Sequence, residues 1–194
     1  VANDHLDMIT PRVRHTVFKS AFFFEKEEHT AIVKEITAAL REQPVHDWTG
    51  KKIILTGIAF EPNEVLDILA ENQLAVVGDD LAQESRQYRT DTPATGGGGL
   101  KRLALQWNAR RGCSLIHEMD KPRGKMLARM CQETGAQGVL TGLMKFCDPE
   151  EYDLPFLEED LRRVGIQCVT VSIDQQSGSV EQLRTRIQSF AELL

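Results

Sequence analysis

The chain has 194 residues, of which 41% are hydrophobic, 27% charged and 6% aromatic, a composition typical of a soluble globular protein. No hydrophobic run approaches the roughly 20 residues that cross a bilayer, so we expect no membrane span. Lys and Arg number 23 against 29 Asp and Glu, and the net charge of −6 at pH 7 argues against binding to nucleic acid or to an anionic membrane. Small molecules and other proteins are the partners that remain.

The cysteine pattern bears on the compartment and on metal binding. Four cysteines are separated by 18, 16 and 21 residues and form no Cys-x-x-Cys motif, namely Cys113, Cys131, Cys147 and Cys168. No signal peptide is recognisable, and the pattern predicts a cytoplasmic protein with neither a disulfide framework nor a self-contained zinc site. Residue 1 is Val, which we interpret as the start of a processed piece or of a fragment.

The first fifty residues differ in pattern from the rest. Residues 16–41 have largely helical periodicity, with apolar side chains on one side, namely Ile32, Val33, Ile36, Ala39 and Leu40. This segment either packs onto the remainder of the chain or bridges to a domain outside it. We therefore divide the chain into residues 1–50, a helical linker or appendage to a missing N-terminal domain, and residues 51–194, an α/β domain.

From residue 51 onward, short aliphatic runs alternate with stretches of helical periodicity. This alternation predicts an α/β fold, a doubly wound parallel sheet with helices on both faces. Strands are expected at residues 52–56, 74–77, 138–141 and 167–173. Helices are expected at residues 62–73, from about 81, near 100–107, at 123–134, from about 153 to 164, and from 180 to the end, the last one capped by Ser179.

The carboxyl ends of these strands should meet at one edge of the sheet, where ligands bind in open α/β folds. This rule selects residues 57–63, 78–89, 142–151 and 174–178 and should bring together Gly57, Asp79, Cys147 and Asp174. Cys147 is the most informative, because the dipole of a following helix favours the thiolate, the form that binds metal or attacks an electrophile. The alternative is a partly exposed structural thiol.

Five other residues are weaker candidates. Cys131 and Cys168 are assigned to the core, and Cys113 to a structural role. Asp79 and Asp80 follow the second strand, where they would contact a ribose or a metal, or else cap the following helix.

The charged and glycine-rich stretches allow further hypotheses. Arg86 and Arg89 are placed to bind a carboxylate, and we take Arg86 as a substrate-binding residue, with a solvent-exposed side chain as the alternative. Residues 96–99 are four glycines without the Lys-Ser/Thr ending of a phosphate-binding loop, so a flexible connection is favoured. Basic residues between 101 and 125 indicate a solvated helix face, or contacts to a cofactor with several phosphates. The five histidines lack metal-ligand spacing and are assigned to the surface or the core.

Two stretches carry a resemblance to a known family. Residues 144–155 read MKFCDPEEYDLP and residues 182–190 read QLRTRIQSF. Both closely resemble the 2-hydroxyacyl-CoA dehydratase family, which includes benzoyl-CoA reductase subunits, and in particular its 2-hydroxyglutaryl-CoA dehydratase D-component. Residues 78–80, Arg86 and residues 138–140 match in the expected order, and the similarity covers residues 17–194, the C-terminal half of a family subunit.

The resemblance implies an oxygen-sensitive lyase of anaerobic metabolism. Each of two homologous subunits would contain two flavodoxin-like domains and a 4Fe-4S cluster held by three cysteines, of which one maps onto Cys147 and two belong to the N-terminal half. A separate ATP-dependent iron-sulfur activator protein would deliver one electron to a 2-hydroxyacyl-CoA thioester, and the resulting ketyl radical would expel the 2-hydroxyl group. The 194-residue chain alone is expected to be inactive.

Two alternatives remain beside the dehydratase. One is a benzoyl-CoA reductase-type subunit that takes part in electron transfer and ring reduction. The other, argued without the resemblance, is a flavodoxin-like domain that binds a nucleotide or a partner, contains no cluster, and uses Cys147 only structurally.

Overall fold

The computed structural model describes residues 1–116, 118–173 and 180–194. The helices and strands in these residues are α1 (Pro11–Ser20), α2 (Lys26–Arg41), β1 (Lys51–Gly57), α3 (Asn63–Glu71), β2 (Leu74–Leu81), α4 (Gly99–Asn108), α5 (Arg123–Thr134), β3 (Gly138–Met144), α6 (Asp148–Arg163), β4 (Gln167–Ile173) and α7 (Val180–Leu193). Two single turns of 3-10 helix lie at Ala2–Asp4 and Ser85–Gln87. Within the described ranges, no helix has the length and hydrophobicity needed to span a bilayer.

The described strands form one sheet in the order β2-β1-β3-β4, and every neighbouring pair is parallel. Gly57 at the end of β1 lies opposite both Leu81 of β2 and Gly142 of β3, and Met144 lies opposite Ile173 of β4. The carboxyl ends therefore meet at one edge, as predicted. Asp174 and Ser179, two further residues of the sequence prediction, lie outside the described residues.

Helices cover both faces of the sheet, which confirms the predicted doubly wound α/β architecture. On one face, side chains such as Leu55 and Leu140 pack against α3 and α7. On the other, Ile54 and Val139 pack against α5 and α6. Because successive side chains of a strand point to opposite faces, each buried strand contributes to both hydrophobic layers.

The N-terminal segment is only partly packed onto this sheet. Helix α1 packs on α3 and reaches β2, whereas Leu40 is the buried residue of α2. A largely apolar groove of about 560 Å³ lies between α1 and α2. The segment thus extends the layer of α3 and α7, while the division of the chain at residue 50 stays a prediction.

Two helix predictions were wrong. No α-helix begins at residue 81, because β2 continues to Leu81 and is followed only by the single turn Ser85–Gln87. The Asp79 carboxylate accepts hydrogen bonds from the backbone N–H groups of Leu81 (3.2 Å) and Ser85 (3.0 Å), which holds this turn. Helix α6 begins at Asp148, five residues before the predicted start, and includes Pro155 in its interior.

We predict that the last helix is essential for the stability of the sheet. Ile187 is fully buried on α7, so Ile187→Ala should lower the free energy of unfolding by about 2 to 5 kcal/mol through lost contacts and an unfilled cavity. Leu193 on the same helix is 62% exposed, and Leu193→Ala should change it by less than about 0.5 kcal/mol. Urea unfolding monitored by circular dichroism measures both; equal losses would contradict the assignment of the buried face.

Candidate functional site

Cys147 lies where β3 passes into α6, and its position confirms the prediction of a cysteine between a strand and a helix N-terminus. It is the residue that precedes the first turn of α6, and its side chain is half-buried. Its N–H donates to the carbonyl of Met144 at 3.2 Å, and its carbonyl accepts from the N–H of Glu151 at 3.1 Å. Phe146, just before it, adopts the left-handed backbone conformation (φ 64°) and is 95% exposed.

A group of buried charged residues lies at the same edge of the sheet. We call it the edge cluster; its members are at most 5% exposed and are Asp80, Arg86, Arg123, Glu150 and Asp153. They come from the end of β2, the turn after it, and the first turns of α5 and α6. The cluster therefore joins the elements that meet at the carboxyl edge.

Asp80 is the first of two carboxylates around which the cluster is arranged. Its Oδ2 accepts from the Thr56 hydroxyl at 2.9 Å and from Arg123 Nε at 2.8 Å, and its Oδ1 accepts from Arg86 Nε at 3.2 Å. Arg89 also pairs with this carboxylate. The charge of Asp80 is thus compensated by three guanidinium groups and one hydroxyl.

Glu150 is the second carboxylate around which the edge cluster is arranged. Its Oε1 accepts from the Ser114 hydroxyl at 2.6 Å and from Arg86 Nη1 at 3.3 Å, and its Oε2 lies 2.8 Å from Arg123 Nη1. One helical turn later, Asp153 pairs with Lys121 at 3.0 Å and lies 3.7 Å from Arg123. The first turn of α6 is therefore attached to α5 and to the loop before α5 by ionic contacts.

These contacts keep Asp80 and Arg86 ionised. Burial alone raises the pKa of Asp80, but the attraction of Arg86, Arg123 and Arg89 outweighs it and lowers the pKa from its ordinary value of 3.8 to about 2. Burial likewise lowers the pKa of Arg86, but Asp80 and Glu150 outweigh it and raise the pKa above its ordinary value. Both residues are charged at neutral pH.

The structure places the two predicted arginines inside this arrangement. Arg86 is 5% exposed, so the alternative of a solvent-exposed side chain was wrong. Its Nη2 donates to the carbonyls of Gly57 (3.1 Å) and Asp80 (2.9 Å), in addition to the carboxylate contacts. Arg89 binds the carboxylate of Asp80 and the carbonyl of Gly112 (3.1 Å). The substrate-binding role of Arg86 stays a prediction.

The other three cysteines lie in the apolar core or beside the edge cluster. Cys131 is 3% exposed and packs under α6, and burial raises the pKa of its thiol to about 11. Cys168 packs against the same apolar layer, and burial, the largest influence, raises its pKa to about 11 as well. Cys113 is half-buried, with Arg86 Nη1 3.6 Å from its sulfur. The predicted core assignment of Cys131 and Cys168 agrees with these positions.

The remaining predicted features contribute little at this edge. Asp79 supports the turn after β2 and lies 3.6 Å from Arg14, so it acts as a local cap. His15 is buried, with its Nδ1 2.5 Å from Glu84. The glycine run leads into α4, which has no buried residue, as expected for a surface connection.

The side chains at the carboxyl edge that could bind a metal are the carboxylates of the edge cluster and Cys147. Across residues 1–116, 118–173 and 180–194, no group of three or more His, Cys, Asp or Glu side chains is arranged to hold a metal ion. Asp80, Glu150 and Asp153 are already paired with cations of this chain. Cys147 is half-buried, and its sulfur is a soft donor of the type that iron-sulfur clusters take as ligands.

Comparison with known proteins identifies the family. The family described as 2-hydroxyglutaryl-CoA dehydratase, D-component, matches residues 2–194. The chain belongs to this family. This confirms the resemblance stated from residues 144–155 and 182–190.

Three curated relatives of the chain are named as dehydratase beta subunits. The lactoyl-CoA dehydratase subunit beta of Anaerotignum propionicum is 46% identical over 194 residues, with 100% of this chain and 52% of that protein covered. The (R)-phenyllactyl-CoA dehydratase beta subunit of Clostridium sporogenes is 41% identical, with 100% and 51% covered. The (R)-2-hydroxyglutaryl-CoA dehydratase, subunit beta, of Acidaminococcus fermentans is 32% identical, with 100% and 52% covered. The chain spans about half the length of these relatives.

The edge cluster was missed by the sequence analysis, although a signal for it was present. Asp80 closely follows the predicted strand at residues 74–77, and Arg123 begins a predicted helix. In a parallel α/β fold these positions lie at the same edge. Charges of opposite sign at such positions predict ion pairs, whereas we considered Asp80 only as a ligand contact or a helix cap.

Thiol reactivity should separate Cys147 from the buried cysteines. With a pKa of about 11, Cys131 and Cys168 are only about 0.1% thiolate at pH 8, and Cys131 is also buried. Iodoacetamide should therefore label Cys147 much faster than either, as measured by peptide mass spectrometry over time. Cys147→Ser should remove a rapidly labelled thiol and Cys131→Ala should remove none. Equally fast labelling of Cys131 would contradict the burial described here.

The ionic pairing of Asp80 predicts a specific pH dependence. Asp80→Asn leaves the buried guanidinium groups of Arg86 and Arg123 poorly compensated and should lower the free energy of unfolding by about 3 to 5 kcal/mol at pH 7. Because the folded-state pKa is lowered, the stabilisation is present above pH 4 and is lost as the pH falls from 4 to about 2. Urea titrations should show the difference between wild type and variant narrowing in that window.

A matched control is an exposed aspartate in an ion pair. Asp120 pairs with Arg111 at the surface, and Asp120→Asn should change stability by less than about 1 kcal/mol at any pH. A difference between wild type and Asp80→Asn that stays constant down to pH 2 would rule out the ionic role of Asp80.

Proposed function

We propose that the full-length subunit containing this chain takes part in the elimination of water from a 2-hydroxyacyl-CoA, by a radical route that begins with one-electron activation of the thioester. The observation that carries the proposal is the family match over residues 2–194, together with Cys147 at the carboxyl edge of the sheet. The named relatives are dehydratase subunits for lactoyl-, phenyllactyl- and 2-hydroxyglutaryl-CoA.

In this proposal Cys147 is one thiolate ligand of a 4Fe-4S cluster, and the N-terminal half of the subunit supplies the other two cysteines. A 4Fe-4S cluster supplies, when bound, a one-electron donor of low potential. The position of Cys147 supports this role, because the residue is half-buried and lies at the N-terminus of α6, where the helix dipole favours a negative charge. A thiolate is more stable in that field than in bulk apolar surroundings.

The other residues of this chain provide a rigid and electrically balanced frame. Three guanidinium groups, those of Arg86, Arg89 and Arg123, face three buried carboxylates of the chain. Such internal pairing leaves little net charge beside Cys147. The members of the edge cluster are at most 5% exposed, and this burial strengthens the electrostatic interactions between them.

Substrate and partner contacts are proposed with the activity. Arg86 would bind an anionic part of the CoA thioester, although it would have to exchange contacts with Asp80 or Glu150 to do so. The beta-subunit relatives imply a second subunit, and we propose that it is homologous and that an ATP-dependent iron-sulfur activator protein delivers the electron. We place the assembly in a reducing, anaerobic cytoplasm.

The two alternatives receive less support. The relatives reported above are dehydratase subunits, so the benzoyl-CoA reductase-type function is second. Anaerobic assays of the assembled protein with 2-hydroxyacyl-CoA and with benzoyl-CoA distinguish these two. A cluster-free nucleotide- or partner-binding domain would contain no iron or acid-labile sulfide after anaerobic purification of the full-length subunit.

Replacement of Cys147 tests the proposed ligand. In the full-length subunit assembled with its partner, Cys147→Ser should lower the iron content, reduce the cluster absorption and abolish turnover, because the hydroxyl is a poor ligand for iron-sulfur iron. The far-ultraviolet circular dichroism should stay unchanged, since the side chain is not part of the core.

Cys131→Ala is the control. It removes a buried thiol and should lower the free energy of unfolding by about 1 to 2 kcal/mol while leaving the iron content unchanged. Full retention of iron in Cys147→Ser would show that Cys147 is not a ligand.

A further inference from the structure

The first turn of α6 lacks the usual side-chain cap. Cys147 occupies the capping position, and its side chain accepts no hydrogen bond from that turn. Ser, Thr, Asp or Asn would normally do so, and a Glu at the third helical position would normally reach back to the N–H of the capping residue. Glu150 occupies this third position, but its carboxylate instead points inward to Arg86, Arg123 and Ser114. The position of the turn depends on those inward contacts.

The backbone just before Cys147 is conformationally unfavourable. Phe146 adopts φ 64°, the left-handed region in which a Cβ atom is crowded, and its exposed side chain makes little packing that would compensate. The turn is held on the strand side by the N–H of residue 145, which donates to the carbonyl of Ile173 at 3.2 Å. On the helix side it is held through Glu150.

We propose that Glu150, bound by Arg123 and by the Ser114 hydroxyl, is a positioning residue that fixes the direction of the Cys147 thiol at the carboxyl edge. The inference rests on the proposed function, in which Cys147 is an iron ligand. The contact between Arg123 of α5 and Glu150 in the first turn of α6 then sets the geometry of Cys147, three residues before Glu150. Loss of this contact would let the strained turn that contains Phe146 move.

The test uses the full-length subunit assembled with its partner. Glu150→Gln removes the charge, and Ser114→Ala removes only the 2.6 Å hydrogen bond without changing any charge. We expect iron to be released to a chelator roughly fivefold faster in Ser114→Ala, the factor that one hydrogen bond contributes, and faster still in Glu150→Gln. The g-values of the reduced cluster should shift in both variants, which a purely structural role would not produce.

A control on the same helix is Glu159→Gln. Glu159 forms exposed ion pairs with Arg162 and Arg163, so its replacement should change neither iron release nor the spectrum. If Glu150→Gln does not fold, the iron release and the g-values of Ser114→Ala alone decide the test. Wild-type release rates and unchanged g-values in a folded variant would overturn the proposal.

A separate measurement distinguishes failure of this inference from failure of the proposed function. If Cys147→Ser retains its iron, Cys147 is not a ligand, and positioning is then measured on the iron-free full-length subunit by alkylation with iodoacetamide. Faster alkylation of Cys147 in Ser114→Ala than in wild type would support the positioning role by itself. Equal rates would overturn it.

Discussion

The buried carboxylate of Asp80 is the interaction on which the carboxyl edge of this protein depends. It is removed from water and accepts hydrogen bonds from Thr56 of β1, from Arg86 in the turn after β2 and from Arg123 of α5. Taking a charge out of water costs several kcal/mol, so such a group is tolerated only where its partners are close and well oriented. Each partner in turn depends on Asp80, because an unpaired guanidinium in the same place would be equally costly.

The strand order brings the start of α6 to the arginines that bind this carboxylate. Strand β3 lies beside β1, and their ends approach so closely that a Cβ at Gly57 would lie 2.2 Å from the carbonyl oxygen of Gly142. A Cβ at Gly142 would in turn lie 2.6 Å from the ring of Phe60. Glycine at both positions lets the strand ends and the loop after β1 meet without a gap. The start of α6 is therefore within reach of Arg86, in the turn after β2, and of Arg123 of α5.

The sheet could be predicted from the sequence, but part of α6 could not. Aliphatic runs reveal buried strands, and all four strands were located in this way. The apolar periodicity of α6 begins only at Leu154, so its first turn was missed. In the structure the buried face continues backwards from Leu161 and Leu157 through two carboxylates, Asp153 and Glu150, at helical spacing. A search for apolar periodicity does not detect charged residues at such positions, because their burial depends on partners distant in sequence.

The directional geometry of ionic contacts explains why the carboxyl edge of the sheet is ionic instead of apolar. A hydrophobic contact between α5 and α6 would stabilise the fold at least as well, since a buried ion pair gives little net stability over a well-packed apolar pair. The ion pair differs from the apolar pair in that its hydrogen bonds are directional. Each donor and acceptor is satisfied in only one arrangement of the two helices. An apolar contact allows small sliding movements at little cost, whereas Arg123 between Asp80 and Glu150 does not. For a chain that places the Cys147 thiol at its sheet edge, defined geometry is the property that ionic contacts add to stability.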